Sequence, residues 1–413
     1  MVALLLLGIC GGDSSTTTAT AKTNQPAMPP IKIGVSISRS GVFAENSKAT
    51  EQGYQLWVDT VNKNGGLLSR KVQLIVLPDD SSTTQVAANY QKLITVTHVD
   101  LVFGPYSTRL TDTASLVANR YGYAMLEGSG GGPSVFARGL RNIFDVSPPI
   151  VHQMDNFVQY ILSLPPAQKP HTAAYVTEDD PFTQPMINQA QQFLQLGGVR
   201  TISYQVYSHK TTDYAPIAQT MITANAQLVV LGSQIFDTIA FLQAFQRHHY
   251  NPEGLIASAG PDQGSQFTYP LGGSAMAEGI FFPDSWDPTI NTYQNKQMVK
   301  DYLARHGGTV EQISANTAEA YAAGQVLYQA ANNIHSINNA KLIAELHSNT
   351  IFQSVQGDVL FNDVGENIGA AGFTFQWQRG RVVLVYPPAY AQANPEYPKP
   401  NWPLKQNADL EAE

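Results

Sequence analysis

Three places in this sequence offer chemistry on residue type and spacing alone. Gly128-Ser129-Gly130-Gly131-Gly132 invites a dinucleotide-binding loop, but Pro133 stands where G-x-G-x-x-G needs its third glycine. The same run misses the nucleophile elbow G-x-S-x-G, because Glu127 sits two residues before Ser129. His248-His249 are adjacent, and neighbours on a helix point about 100° apart, which is poor geometry for sharing a metal. Asp79-Asp80 could form a carboxylate pair, yet Ser81-Ser82-Thr83 follows, and turn formation or helix capping is the commoner use of such a cluster. No nucleophile, base and orienter assemble from these pieces. The expectation is a protein that is not an enzyme, with no metal site and no cofactor.

What recurs instead is a polar or aromatic group just beyond a short apolar strand. Strand Val99 to Phe103 ends in Gly104-Pro105-Tyr106-Ser107-Thr108, and a helix begins there. A helix N-terminus with free N–H groups and a hydroxyl attracts a carboxylate. Thr108 fits that role and fits equally a plain N-cap.

Such positions need a frame of strands and helices, and the hydrophobic periodicity supplies one. Ile31 to Ile37 reads as a strand, Glu51 to Lys63 as a helix ended by Gly65-Gly66. Strand Val72 to Leu77, helix Thr84 to Thr95, strand Val99 to Phe103, helix Leu110 to Tyr121 and strand Tyr123 to Leu126 continue the series. Near Ser147-Pro148-Pro149 the pattern restarts with strand Thr172 to Val176, helix Gln184 to Leu196, strand Thr201 to Tyr207 and helix Tyr214 to Asn225. Strand Leu228 to Leu231, helix Thr238 to His248 and strand Leu255 to Ala259 complete it. Helices then fall near Asn291 to His306, Ala315 to Asn333 and Ala340 to His347, and a hairpin turns at Arg379-Gly380. Alternating short strands and amphipathic helices predict an α/β protein with parallel-rich sheets.

Only 14% of the 413 residues are charged and the formal net charge is −8, with no long run of Lys or Arg. Binding nucleic acid requires a basic face, so that partner is not expected. The single cysteine, Cys10, cannot form an internal disulfide. It closes the apolar run Val2 to Ile9, which reads as the core of a signal peptide. Two readings fit Cys10. Leu7-Gly8-Ile9-Cys10 is similar to the lipobox of bacterial lipoproteins, in which the cysteine carries the lipid, although Ile9 stands where a small residue is usual. Alternatively Cys10 is cleaved away with the signal peptide. Residues Ser14 to Pro30 are rich in Ser, Thr, Ala and Pro and read as a tether.

From Ile31 to about Pro388 the chain resembles the leucine/isoleucine/valine-binding protein family, the branched-chain amino acid type of solute receptor. The resemblance rests on Ile31-Lys32-Ile33-Gly34-Val35, Ser40-Gly41, Asn62-Lys63-Asn64-Gly65-Gly66, Asp79-Asp80, and Gly104-Pro105 with Thr108. Further landmarks are Glu178-Asp179-Asp180-Pro181-Phe182, Gly260-Pro261-Asp262, Ala277-Glu278-Gly279, and Val355-Gln356-Gly357 before Phe361-Asn362. Each is weak alone; their order and spacing are specific.

The resemblance implies a two-lobed type I periplasmic-binding-protein-like fold, each lobe a parallel-rich sheet flanked by helices, with three interlobe crossings. Lobe I would hold 31–146 plus 285–356 and lobe II 147–284 plus 357–400. Residues 1–30 would be the signal or lipoprotein segment and linker, and 401–413 a tail. It implies an extracytoplasmic solute-binding protein of an ABC-type uptake system, with an ABC transporter permease as partner and the membrane reached only through a lipid anchor. The ligand would be an amino acid or related small molecule. A ligand-sensing receptor subunit, or a binder of a neutral amide, urea-like or polyol ligand, stays open. By position, Thr108 matches the hydroxyl for the ligand's α-carboxylate, and Ser129 a position whose carbonyl takes the α-ammonium. Phe182 matches an aromatic cover from the second lobe, and Asp262 an acid pairing with the ammonium. Tyr106 and Ser107 would line the pocket. Three positions depart from the family. Gly131 stands where a threonine hydroxyl is usual, which removes one ammonium contact that the Ser129 hydroxyl could replace. Asn46 stands where an aromatic walls the pocket, and Thr183 where a glycine follows the aromatic.

Overall fold

The structure is a computed structural model describing residues 28–403. The expectations for Cys10 and the leader, and for residues 404–413, lie outside the described residues.

Strand β1 (Ile31–Ile37) is buried at every position except Lys32. An apolar strand buried on both faces belongs in the middle of a parallel sheet with helices on either side. Helix α1 (Ala44–Lys63), strand β2 (Val72–Pro78), helix α2 (Thr83–Thr95), strand β3 (Leu101–Phe103), helix α3 (Thr108–Arg120) and strand β4 (Met125–Glu127) follow. A single turn, α4 (Pro133–Phe136), leads to strand β5 (Ile143–Asp145). These five strands form one sheet in the order β2-β1-β3-β4-β5, parallel throughout.

The chain then leaves that sheet. Helix α5 (Asp155–Ser163), β6 (Thr172–Glu178), α6 (Thr183–Leu196), β7 (Arg200–Tyr207), α7 (Ala215–Ala224), β8 (Leu228–Gly232), α8 (Ile235–Arg247), β9 (Gly254–Ala257), α9 (Ser265–Leu271) and β10 (Phe281–Asp284) build a second layered unit. Helices α10 (Asn295–His306), α11 (Ala315–Asn333) and α12 (Asn339–Leu346) follow, then the small ladder β11 (Phe352–Ser354) with β12 (Gly357–Val359). Strands β13 (Phe373–Gln378) and β14 (Arg381–Tyr386) complete the second sheet, in the order β14-β13-β10-β9-β8-β6-β7. The pairings of β13 with β10 and with β14 are antiparallel. Both hairpin residues have positive φ, Arg379 at 52° and Gly380 at 74°, the backbone twist that two-residue hairpins favour.

Helix α11 returns to α1 on the first unit, and glycine lets them meet closely. A Cβ on Gly53 would fall 2.1 Å from the Thr317 carbonyl oxygen, and one on Gly324 would fall 2.2 Å from the Trp57 ring. Thr317 Oγ1 donates to Ala49 O at 3.1 Å across the same seam. Residues 357–368 had been expected on the second lobe. Of these, Gly357–Val359 pair with β11, while Glu366 is bridged to Asp145 and Asn367 Nδ2 donates to Val146 O at 2.7 Å on the first sheet.

Asp79 is not half of a reactive pair. It is fully buried and accepts from the Ser36 and Ser38 hydroxyls and the Ser81 N–H, tying β1 to the loop after β2. Ser82 caps α2 by accepting from Gln85 N.

Candidate ligand site between the two sheets

In an open parallel sheet the strand C-termini and the loops after them form the natural binding edge. Here both sheets turn that edge toward one shared cleft. A cavity of about 60 Å³ opens in it. From the first unit come Asn46 on α1, Tyr106 and Ser107 after β3, Gly128, Ser129 and Gly131 after β4, and Asp145 with Ser147 at and after β5. The second contributes Phe182 after β6, Ser258, Ala259 and Asp262 after β9, and Pro283-Asp284 at the end of β10. Asn316 and Glu319 reach in from the start of α11.

Of the eight residues singled out by sequence, seven line this cavity: Asn46, Tyr106, Ser107, Ser129, Gly131, Phe182 and Asp262. Thr108 does not. It is the first residue inside α3, fully buried, and its Oγ1 accepts from Gly132 N at 3.2 Å. Ser107, at the N-cap, faces the cavity in its place. Its hydroxyl makes no capping bond, is buried and has no hydrogen-bond partner. Of the two neighbouring hydroxyls expected at this helix terminus, Ser107 lines the cavity and Thr108 does not.

The departures now have physical reasons. A Cβ on Gly131 would fall 1.6 Å from Asp145 Oδ2, so the aspartate occupies the room a threonine would take. Asn46 Nδ2 donates to the Tyr106 hydroxyl at 2.7 Å and holds that ring in the wall. The Ser129 hydroxyl donates to Glu319 Oε2 at 2.6 Å, which leaves its oxygen as an acceptor toward the cavity.

Asp145, Asp284 and Glu319 line the cavity too and were not singled out by sequence; Glu127 lies behind the wall, bonded to the Ser129 and Gly130 backbone. No spacing rule connects them; they stand at strand ends and on a helix far apart in sequence. Glu127 is fully buried, with Oε2 accepting from Ser129 N at 2.8 Å and from Gly130 N, and Oε1 without a partner. Burial pushes its carboxyl up to about 8, outweighing the two N–H bonds. Burial also raises Asp145, Asp262, Asp284 and Glu319, and repulsion from neighbouring carboxylates adds to it at Asp145, Asp284 and Glu319.

A stability test follows for Glu127. A carboxyl whose pKa is higher folded than unfolded favours folding fully below the unfolded value, and that contribution is lost as pH rises through the folded one. In ligand-free protein, Glu127→Gln should therefore gain on the parent from the usual carboxylate range upward, by at most about 1.4 kcal/mol per pH unit, and level off near pH 8. Denaturant unfolding at several pH values checks this; an advantage that stays constant with pH would disprove it.

Polar contacts link the cavity wall to the strands passing between sheets. Ser147 Oγ donates to Gly128 O at 2.6 Å, and Ser285 Oγ to Glu319 Oε1 at 2.7 Å. Gln356 Nε2 donates to both hydroxyls, at 3.2 and 3.0 Å. At the rim Arg109 of α3 reaches across the cleft to Asp180 at 2.6 Å and Glu178 at 3.7 Å. Gln266 Nε2 crosses the other way to Glu45 Oε2 at 2.7 Å. Trp286, near the second passage, is buried, with Nε1 donating to Asn295 Oδ1.

Comparison with known proteins agrees with this architecture. A family model described as periplasmic binding protein matches residues 30–381. Leu/Ile/Val-binding protein homolog 7 of Brucella suis is 25% identical over 381 residues, covering 89% of this chain and 94% of the relative. Homolog 8 from the same organism is 24% identical over 406 residues, covering 96% and 99%. The solved substrate binding protein LivJ of the Streptococcus pneumoniae branched-chain amino acid transporter, in complex with isoleucine, superposes with a TM-score of 0.75 at 18% identity. It covers 87% of this chain and 100% of its own. A solute binding protein from R. palustris in complex with benzoate gives 0.72 at 14% identity, over 86% and 95%.

Proposed function

Because the chain belongs to the periplasmic binding protein family, we propose that it is the extracytoplasmic solute-binding subunit of an ABC-type uptake system. It captures a small polar molecule, an amino acid or a close relative, presents it to a permease, and does no chemistry on it. The observation that carries this reading is one polar cavity with walls from both sheets: Tyr106, Ser107 and Ser129 on one side, Phe182 and Asp262 on the other. A molecule held by both walls favours the closed arrangement and shifts the population toward it. Relatives named for leucine, isoleucine and valine support an amino acid ligand, as does the isoleucine held by the S. pneumoniae neighbour. The benzoate complex shows that this fold also accepts other small molecules. Mass spectrometry of what the purified protein releases on denaturation, followed by small-angle scattering with and without that compound, tests the reading. Compaction is expected, and an unchanged profile with a compound that demonstrably binds would refute the clamp.

The anchor belongs to the same proposal. The apolar run Val2 to Ile9 ahead of Cys10, and the polar tether after it, support lipid attachment at Cys10. Cys10→Ala should move the protein from the membrane fraction to the soluble fraction; fractionation like the parent's would rule the anchor out.

A further inference from the structure

The charge in this cavity is one-sided. Its lining includes four carboxylates, Asp145, Asp262, Asp284 and Glu319, and no Lys, Arg or His. They come from β5, from the loop after β9, from β10 and from α11, so both sheets contribute. The Arg109 guanidinium is spent at the rim on Asp180 and Glu178. A neutral-side-chain amino acid brings one ammonium and one carboxylate, and leaves this imbalance as it was. Resting on the solute-capture reading, we propose that the ligand is a small molecule with at least two cationic centres, a diamine or a basic amino acid, held between Asp262, Asp284 and Asp145.

The hydrogen bonds of the wall fit such a guest. Asp145 and Asp284 each take one backbone N–H bond, from Ser147 at 2.9 Å and Ser285 at 2.7 Å. The second oxygen of each accepts no hydrogen bond among the described residues. Ser129 gives its hydroxyl proton to Glu319 and Ser147 gives its own to Gly128 O. With those protons committed, both hydroxyls can offer the cavity only lone pairs. Such a wall accepts hydrogen bonds and suits a guest rich in N–H donors. Ser107 supplies an independent sign of an occupant: it is 4% exposed and its Oγ, on the cavity wall, has no partner. Buried charges are normally paired, and here the pairing group has to come with the ligand. The raised carboxyls agree with this, since a cation among them would return them to the ionised form.

Titration calorimetry with 1,5-diaminopentane, L-lysine and L-leucine on ligand-stripped protein decides the matter. At least one of the two dications should bind tenfold or more tightly than leucine. Lysine tighter than diaminopentane would place a carboxylate at Ser107, and the reverse order a second ammonium; both support the proposal. Asp284→Asn and Asp145→Asn should each weaken the dication at least tenfold while melting no lower than the parent in ligand-free form. Leucine binding without either dication, or well-folded variants with parental dication affinity, overturns the inference and leaves solute capture standing. Should none of the three bind, the compound released on denaturation decides: two or more basic nitrogens support the inference, and fewer overturn it. No binding and no released compound would sink the solute-capture reading itself.

Discussion

Replacing Asp262 by alanine should weaken solute capture by roughly thirty-fold to several thousand-fold. Removing one partner of a buried charge pair costs about 2–5 kcal/mol, at about 1.4 kcal/mol per tenfold change. Asp262 holds its own turn, with Oδ1 accepting from Gly260 N at 2.9 Å, and it also lines the cavity. Two variants separate these roles. Asp262→Asn keeps a turn acceptor and loses the charge, so it should bind nearly as poorly as the alanine variant. Calorimetry with the released solute reads both. Parental affinity in Asp262→Asn would reduce the residue to a turn former, and a desamino analogue of the solute should lose little on either substitution.

Arg109→Met should bind about ten- to forty-fold more weakly and scatter as a more extended particle. The Asp180 side chain is 2% exposed and Arg109 lies across the cleft from it. The contact therefore exists only while the two sheets are close. Hydrogen bonds to charged groups contribute about 1.5–3 kcal/mol, and the partly exposed guanidinium argues for the lower half of that range. Without it, the two acids face each other across no cation and gain by hydration when the cleft opens. Apparent affinity falls with the fraction of closed molecules. Glu178 is already pushed up to about 8, by burial first and then by Asp180 and Asp237, which adds to the pressure to open. Parental affinity together with a parental scattering profile would show that Arg109 is no clasp.

Most of the regular elements were legible because their signals are local. β1, the hairpin of β13 and β14, and α11 fall where periodicity and turn residues put them. α1 begins at Ala44, earlier than expected, because Phe43 at its N-cap makes no side-chain cap and nothing in the sequence marks the start. β10 was missed because Pro283 sits inside it; the strand is four residues long and Pro283 still pairs with Thr374. β5 has three residues and gives periodicity nothing to work on. At the site, residues next to recognisable motifs were found: Tyr106, Ser107, Ser129, Phe182 and Asp262. Asp145, Asp284 and Glu319 were not, because each reads locally as an ordinary polar residue. Only the cavity shared by the two sheets and α11 brings them together.

The helix α1 is made long before its partner. Ala49 and Thr317, which join it to α11, are separated by 268 residues. At about 5–20 residues per second of synthesis, the Trp57 face stays uncovered for tens of seconds. During that interval β6 to β9 and their helices are already complete in sequence, so the second unit can assemble while the first still lacks a wall. The N-terminal half is thus held back from its final packing until nearly the whole chain exists.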